Sequence, residues 1–212
     1  MKTQKWKYTA LAAILLHSII FGSELYLMLR QKSIPFYLRY FTNLSNLLAG
    51  AASLIMIITL AAALIHDRCK LWRWAVLLQL VAACSVGLTF LVVLTFLSPN
   101  HVREGGSYWD FFSGEAFHTH FFNCLLSGIC AALLHPDVRI RKKESWLGIL
   151  PTLVYGAVYA VCVFNGTWPD FYNFTSGKQL GIGLIALLIM SVVSLLLSFG
   201  YSSLHNHQLQ QE

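Results

Sequence analysis

Leu180-Gly-Ile-Gly-Leu-Ile-Ala-Leu-Leu-Ile-Met-Ser-Val-Val-Ser-Leu-Leu-Leu-Ser-Phe-Gly-Tyr-Ser-Ser-Leu204 contains no Asp, Glu, Lys or Arg. A helix needs about 20 largely apolar residues to cross the hydrocarbon layer of a bilayer, and this stretch is long enough. Working back from it, Trp146–Phe164, Ala116–Leu134, Leu71–Leu97, Tyr40–Ile65 and Tyr8–Leu29 qualify or nearly so. The sequence therefore predicts an all-α polytopic membrane protein. Residues 1–212 form a single transmembrane domain, a bundle of six helices with spans at about 8–29, 40–65, 71–97, 116–134, 146–164 and 180–204.

Composition agrees. Of the 212 residues 57% are hydrophobic and 11% are charged, against about 25% charged in a soluble domain. The net charge of +6 is not a nucleic-acid signature, because the Lys and Arg residues lie in short clusters between apolar runs. Such clusters fix the orientation of a membrane protein. One side of the membrane receives Lys2, Lys5, Lys7, Arg68, Lys70, Arg73, Arg139, Arg141, Lys142 and Lys143. The other receives Arg30, Lys32, Arg39, Arg103 and Lys178. Ten against five predicts that both termini are cytoplasmic.

The basic N-terminus followed by an apolar run resembles a signal peptide in outline. The run continues to about Met28, beyond the roughly 7–15 residues of a signal-peptide core, so it reads as a retained first span. All six tryptophans, Trp6, Trp72, Trp74, Trp109, Trp146 and Trp168, fall at or beside span ends, where an amphipathic ring prefers to sit. Asn43, Asn165 and Asn173 open N-x-S/T sequons; Asn43 starts a span, and the other two are expected outside. The five cysteines, Cys69, Cys84, Cys124, Cys130 and Cys162, form no C-x-x-C pair and read as small buried hydrophobes.

Polar residues inside the spans carry the functional information, because a polar group in hydrocarbon faces the bundle interior or a cavity. In span two Thr42, Ser45, Asn46, Ala49, Gly50 and Ser53 recur at helical spacing as one small, polar stripe. Such a stripe suits close helix packing and interhelical hydrogen bonds, and Thr42 also suits a helix cap. Span four opens Gly114-Glu-Ala-Phe-His-Thr-His-Phe-Phe-Asn-Cys124. On an α-helix His118 and His120 point to nearly opposite sides, so only one easily faces inward. Periodicity favours His120, which aligns with Asn123 and Ser127. The same geometry argues against both acting as zinc ligands with Asp110 or Glu115, and neither metal nor cofactor is expected.

Glu24, near the outer end of span one, is the one acidic residue well inside a span; it suits the membrane interface, or else orients a histidine or stays protonated in a polar pocket. His17, deeper in span one, reads as a neutral histidine bonded to a neighbouring helix. Spans two and four run in the same direction, so Thr42, His118, His120 and Glu24 share one layer near the outer surface, with the loop Asn165–Tyr172. That layer has the parts for nucleophilic catalysis. A threonine hydroxyl attacks once a neighbouring base takes its proton, a histidine near a helix N-terminus is held neutral for that task, and backbone N–H groups there can hold an oxyanion.

Arg39-Tyr-Phe-Thr42-Asn-Leu-Ser-Asn46, then Phe117-His118-Thr-His120, then Tyr155-Gly-Ala-Val-Tyr159 with Gly166-Thr-Trp168-Pro-Asp-Phe171, occur in an order that resembles a family of small multi-pass bacterial membrane proteins. More distantly they resemble the eukaryotic androgen-induced and androgen-dependent TFPI-regulating proteins, threonine hydrolases of fatty acid esters of hydroxy fatty acids. The resemblance covers most of the chain. It implies Thr42 as nucleophile and a histidine of span four as the essential base. The eukaryotic pattern, with a proline five residues after the histidine, selects His118; the bacterial pattern, with the proline four residues after, selects His120. Asn123 and Cys124 stand in the proline's place here.

The expectation is an intramembrane lipid-ester hydrolase near the outer leaflet, acting on membrane lipids or fatty-acid esters. Asn46 and Asn123 would position the base or the oxyanion, and Glu24 and Trp168 would contact substrate. The rival is a non-enzymatic lipid-binding or small-solute transport bundle. No span is broken at its centre by Pro or Gly, which weakens transport. A bacterial cytoplasmic membrane is the expected location.

Overall fold

The computed structural model describes residues 2–66, 71–134 and 138–209. Arg68, Cys69 and Lys70 lie outside the described residues, and so do the side chains of Lys2 and Lys5. Every element among the described residues is helical: α1 (Lys2–Leu29), α2 (Ile34–Tyr37), α3 (Phe41–Ile65), α4 (Arg73–Val92), α5 (Ser98–Arg103), α6 (Gly114–Phe117), α7 (Asn123–Leu133), α8 (Leu150–Phe164) and α9 (Leu180–Gln208). Single π-helical turns join α4 to α5 (Val93–Leu97) and α6 to α7 (His118–Phe122), and 3₁₀ turns cover Tyr108–Phe112 and Ser145–Ile149. Among the described residues six continuous helices are long and apolar enough to cross a membrane: Trp6–Leu29, Phe41–Ile65, Arg73–Arg103, Gly114–Leu133, Ser145–Phe164 and Leu180–Gln208.

These bounds differ most from the expected ones in the third span, which passes Leu97 and Pro99 without ending. Proline removes a helical N–H donor, and the π turn before it shows how the loss is absorbed. Ser98 N–H bonds the Val93 carbonyl five residues back, so the next carbonyl, Leu94, would be owed the N–H that Pro99 lacks. The Tyr108 hydroxyl donates to that carbonyl instead, at 2.8 Å. The helix thus continues over a proline because a side chain from the following loop completes its ladder.

The packing follows the polar stripe. α1 lies on α3, α3 on α4, and α4 on both α7 and α9. Ser45, Asn46, Ala49, Gly50 and Ser53 are all buried on α3, as their spacing predicts, and Thr42 is half-buried. A Cβ on Gly50 would lie 3.1 Å from Glu24 Cγ, so glycine sets the approach of α1 and α3. His17 is fully buried and its Nδ1 lies 3.0 Å from Ser53 Oγ on α3, the neighbouring-helix bond expected of it. The outer surface is apolar: Leu196 is 67% exposed, Leu188 65% and Val154 63%. An apolar patch of that extent suits lipid contact rather than water.

At the far end from Thr42, the Ser145–Ile149 turn presses on α9. The Ser198 hydroxyl donates to the Ser145 carbonyl at 2.6 Å, and the Ser145 hydroxyl donates to Ser202 at 2.9 Å. A Cβ on Gly148 would meet Ser198 at 2.6 Å and Cys84 Sγ at 3.1 Å. Gly148→Ala is therefore expected to overpack a three-way junction of this turn, α4 and α9, at a cost of about 1–3 kcal/mol. A lower unfolding midpoint in detergent checks this, with Gly200→Ala, in open space inside α9, as a control that does not lower it.

Candidate functional site

Asn46 is fully buried on α3, and its amide nitrogen donates to two carbonyls, Thr42 at 2.8 Å and Thr119 at 2.9 Å. Its amide oxygen accepts from Asn123 Nδ2 at 3.0 Å. Asn123 Oδ1 in turn accepts from the Ser23 hydroxyl of α1 at 2.8 Å. Two asparagines thus tie α1, α3 and the α6–α7 span at one depth. The carbonyl of Thr42 and the carbonyl between the two histidines share one donor group.

Thr42 lies in the first turn of α3. Its side chain lines a cavity of about 40 Å³ with Tyr155, Tyr159, Tyr172, Thr89 and Thr152 among its walls. No histidine is among the lining residues. The Thr42 side chain hydrogen-bonds with the Tyr172 hydroxyl, which also accepts the Phe41 N–H at 3.0 Å and so caps the start of α3. Burial pushes the Tyr172 phenol above its ordinary pKa. The cavity shares Leu88, Val92, Phe174 and Met190 with a larger apolar groove of about 350 Å³ between the third span and α9. Phe96, Ile182 and Ile189 in that groove are exposed, so it opens on the lipid-facing surface.

The histidines sit on the π turn, which alters the spacing from which a single inward ring was expected. Both His118 and His120 are half-buried, and the Nδ1 of each is buried with no hydrogen-bond partner among the described residues. His118 packs edge-on to Phe117 and Phe122, and His120 to Phe111. π turns inside α-helices occur frequently at functional sites. The carboxylates considered as co-ligands are engaged elsewhere: Asp110 Oδ2 lies 2.9 Å from His101 Nε2, and Glu115 Oε1 lies 3.0 Å from Arg30.

Glu24 is 3% exposed, inside the bundle rather than at its rim. Its partner is not a histidine but Tyr37 of the short α2, whose hydroxyl donates to Oε1 at 2.8 Å; Oε2 has no partner among the described residues. Trp168 lines a separate groove of about 410 Å³ with Phe41, Leu44, Ser45 and Tyr155. It therefore stands on the other side of Phe41 and Tyr155 from the Thr42 cavity, since both residues line both spaces.

Sequence reasoning put the loop of Asp170 and Tyr172 in this layer but gave no role to either, or to Tyr155 and Tyr159. Tyr155 and Tyr159 are one helical turn apart, a spacing that aims both at one neighbour. Tyr155 donates to the Arg39 carbonyl at 2.7 Å and Tyr159 to Asp170 at 2.6 Å. Asp170 organises the loop, accepting also from Thr175 Oγ1 at 2.6 Å, Thr175 N at 2.9 Å and Phe174 N at 3.0 Å. Burial opposes its ionisation, but the hydrogen bonds from Thr175, Tyr159 and Phe174 outweigh burial and hold the carboxyl below its ordinary pKa.

Two measurements test this geometry. Asn46→Ala and Asn123→Ala should each destabilise and should be non-additive, with a coupling of about 0.5–2 kcal/mol in a double-mutant cycle. Asp170, with its folded pKa depressed, stabilises the loop fully above its unfolded value of about 3.9, and that contribution is lost as pH falls from there through the lower folded value. Acidification below about pH 4 should therefore change Trp168 fluorescence, and Asp170→Asn should show the acid-state spectrum already at pH 7.

Comparison with protein-family models, with curated proteins and with solved structures finds no match to the chain.

Proposed function

We propose that this chain is an intramembrane lipid-ester hydrolase with Thr42 as its nucleophile. The observation that carries the reading is the continuity of the Thr42 cavity with a lipid-facing apolar groove. The small cavity has room for an ester carbonyl and the larger groove for an acyl chain, so a lipid entering sideways from the membrane would present its ester to Thr42. The resemblance to hydrolases of fatty acid esters of hydroxy fatty acids supports the same substrate class. The excess of Lys and Arg on the other side supports cytoplasmic termini, which would put the site at the outer leaflet of a bacterial cytoplasmic membrane.

In this mechanism Thr42 Oγ1 attacks the ester carbonyl while a histidine Nδ1 takes its proton. The carbonyl C–O bond to the alcohol then breaks, and the histidine returns the proton to the leaving alcohol. Water, deprotonated by the same histidine, cleaves the acyl-threonine and restores the hydroxyl. His118 and His120 are the candidates because each has an uncommitted Nδ1 and the two flank Thr119, whose carbonyl shares the Asn46 amide with Thr42. The histidine must approach Thr42 for this step. A one-residue shift of the π turn would swing its rings by about 100° around the helix axis.

A second reading is favoured by the lining itself. With tyrosines and no histidine around Thr42, the cavity and groove also suit a bundle that binds a lipid without cleaving it. A fluorophosphonate probe that labels activated hydroxyls separates the two readings. Hydrolysis predicts labelling of the purified protein, loss of labelling in Thr42→Ala, and a fall of about 10²–10⁴-fold in rate in one of His118→Ala and His120→Ala. Unchanged ester cleavage by folded Thr42→Ala would end the hydrolase reading. Retained fatty-acid-ester binding with no turnover in the unsubstituted protein would establish the second.

A further inference from the structure

The bundle end opposite Thr42 carries a groove of about 700 Å³ that the hydrolase reading does not use. Arg139, Arg141 and Lys142 line it from the segment before the Ser145–Ile149 turn, and Phe199, Ser203 and Asn206 line it from α9. The segment is fastened to α9 through its backbone. Asn206 donates to the Ile140 carbonyl at 2.8 Å and accepts the Ile140 N–H at 2.9 Å. The fully buried His205 places one ring nitrogen 2.7 Å from the Val138 carbonyl and the other 3.1 Å from the Ala131 carbonyl. These bonds use the main chain and leave the basic side chains exposed.

Among the described residues no carboxylate pairs with Arg139 or Lys142 at the groove. The neighbouring carboxylate, Glu144, is bound by the Arg73 guanidinium and accepts the Arg141 N–H at 2.7 Å. Burial opposes its ionisation, yet Arg73 and Arg141 hold its pKa below the ordinary range, so it is a committed anion. Arg139 and Lys142 form no ion pair with any described residue. The groove therefore presents several cations to whatever enters it.

Its depth and floor indicate what that is. Trp146, 56% exposed, packs edge-on against Phe199 at 6.1 Å, and Phe199 is part of the groove. An exposed tryptophan at the end of a span marks the headgroup level. From Ser203 the same face of α9 continues through Phe199 to Leu196 and Val192, which are exposed to the membrane. A cationic mouth at headgroup level thus leads onto an apolar strip running into the hydrocarbon. Basic pockets between membrane helices recognise anionic lipid headgroups in this way.

We propose that this groove binds the phosphate headgroup of an anionic phospholipid, with Arg139, Arg141 and Lys142 on the phosphate, Ser203 on its polar substituent and an acyl chain along Phe199, Leu196 and Val192. The ligand chemistry is a phosphate, and the apolar strip selects a lipid over the free ion.

The test is lipid titration of the purified chain in neutral detergent, read by native mass spectrometry and by the unfolding midpoint. Phosphatidylglycerol is expected to leave one lipid bound and to raise the midpoint, whereas phosphatidylcholine and inorganic phosphate do neither. Phosphatidylglycerol brominated on its chains should quench Trp146, with Trp146→Phe removing the quenched component. Lys142→Gln should weaken binding roughly fivefold. Lys143→Gln removes the same charge from a side chain outside the groove and should have little effect. Equal weakening by the two variants would reduce the groove to diffuse attraction and overturn the proposal. So would equal binding of phosphatidylcholine, while equal stabilisation by inorganic phosphate would show a free-anion site instead. These measurements involve neither Thr42 nor the histidines, so they stand apart from the outcome at the other end.

Discussion

A side-chain amide in hydrocarbon has no water to turn to, and the pairing of Asn46 with Asn123 is the arrangement that the rest of the bundle has to respect. Each asparagine is fully buried, so a rotation of α3 or of the α6–α7 span would strand several donors and acceptors at once. An orphaned polar group in an apolar interior costs more than a typical hydrogen bond contributes. The pair therefore sets helix rotation, Ser23 extends it to α1, and Gly50 lets α1 come close enough for Ser23 to reach. Thr42 and the π turn inherit their positions from this joint because Asn46 holds a carbonyl from each.

The two ends of the bundle solve the same problem differently. At the Thr42 end, polar satisfaction comes from side chains reaching across elements: Tyr172 to Phe41, Tyr155 to Arg39, Tyr108 to Leu94 and Tyr37 to Glu24. A phenol bridges because its ring is apolar and its tip is polar, which suits the boundary between hydrocarbon and headgroups. At the opposite end the fastening is through backbone carbonyls held by His205, Asn206 and Ser198. Side chains committed to bridging leave a small, aromatic-walled cavity at the first end. Main-chain fastening leaves charged side chains free at the second. The two proposed sites, one for an ester carbonyl and one for a phosphate, follow from that difference.

The six apolar helices and the inward polar stripe of α3 were legible because both depend on local periodicity. Hydropathy marks a span whatever its neighbours are, and Ser45, Asn46 and Ser53 share a face on any α-helix. What was not legible depended on departures from that periodicity or on partners far away in sequence. The extension of the third span past Pro99 needed Tyr108, a residue of the next loop. The π winding at His118–Phe122 has no composition signal, and it removes the basis for choosing between the histidines by a period of 3.6 residues. Glu24 is legible only as an acid at the interface or in the interior, because its partner Tyr37 follows a chain reversal that periodicity does not describe. Tyr155, Tyr159 and Asp170 could have been joined to the site by asking which loop residues an i, i+4 pair of tyrosines would face.

The surroundings of Thr42 place a definite demand on any chemistry there. A threonine alcohol needs a base that is uncharged and has an unused lone pair at the working pH. Tyr172 is a poor candidate: its oxygen already accepts the Phe41 N–H, and burial keeps the phenol from ionising to the phenolate that would be an effective base. His101 lies at the same end but has Nε2 committed to Asp110. His118 and His120 keep an Nδ1 with no partner among the described residues, and both belong to a segment wound as a π turn. A π turn can migrate by one residue without unfolding the helix around it, since it trades one set of carbonyl partners for the next. Substrate arrival at the Thr42 cavity would displace the Tyr172 hydroxyl from the threonine, and a shifted turn would bring an imidazole toward the vacated contact. On the hydrolase reading the π turn has to be mobile, whereas on the lipid-binding reading it does not, and that mobility is the physical property on which the two readings of the site divide.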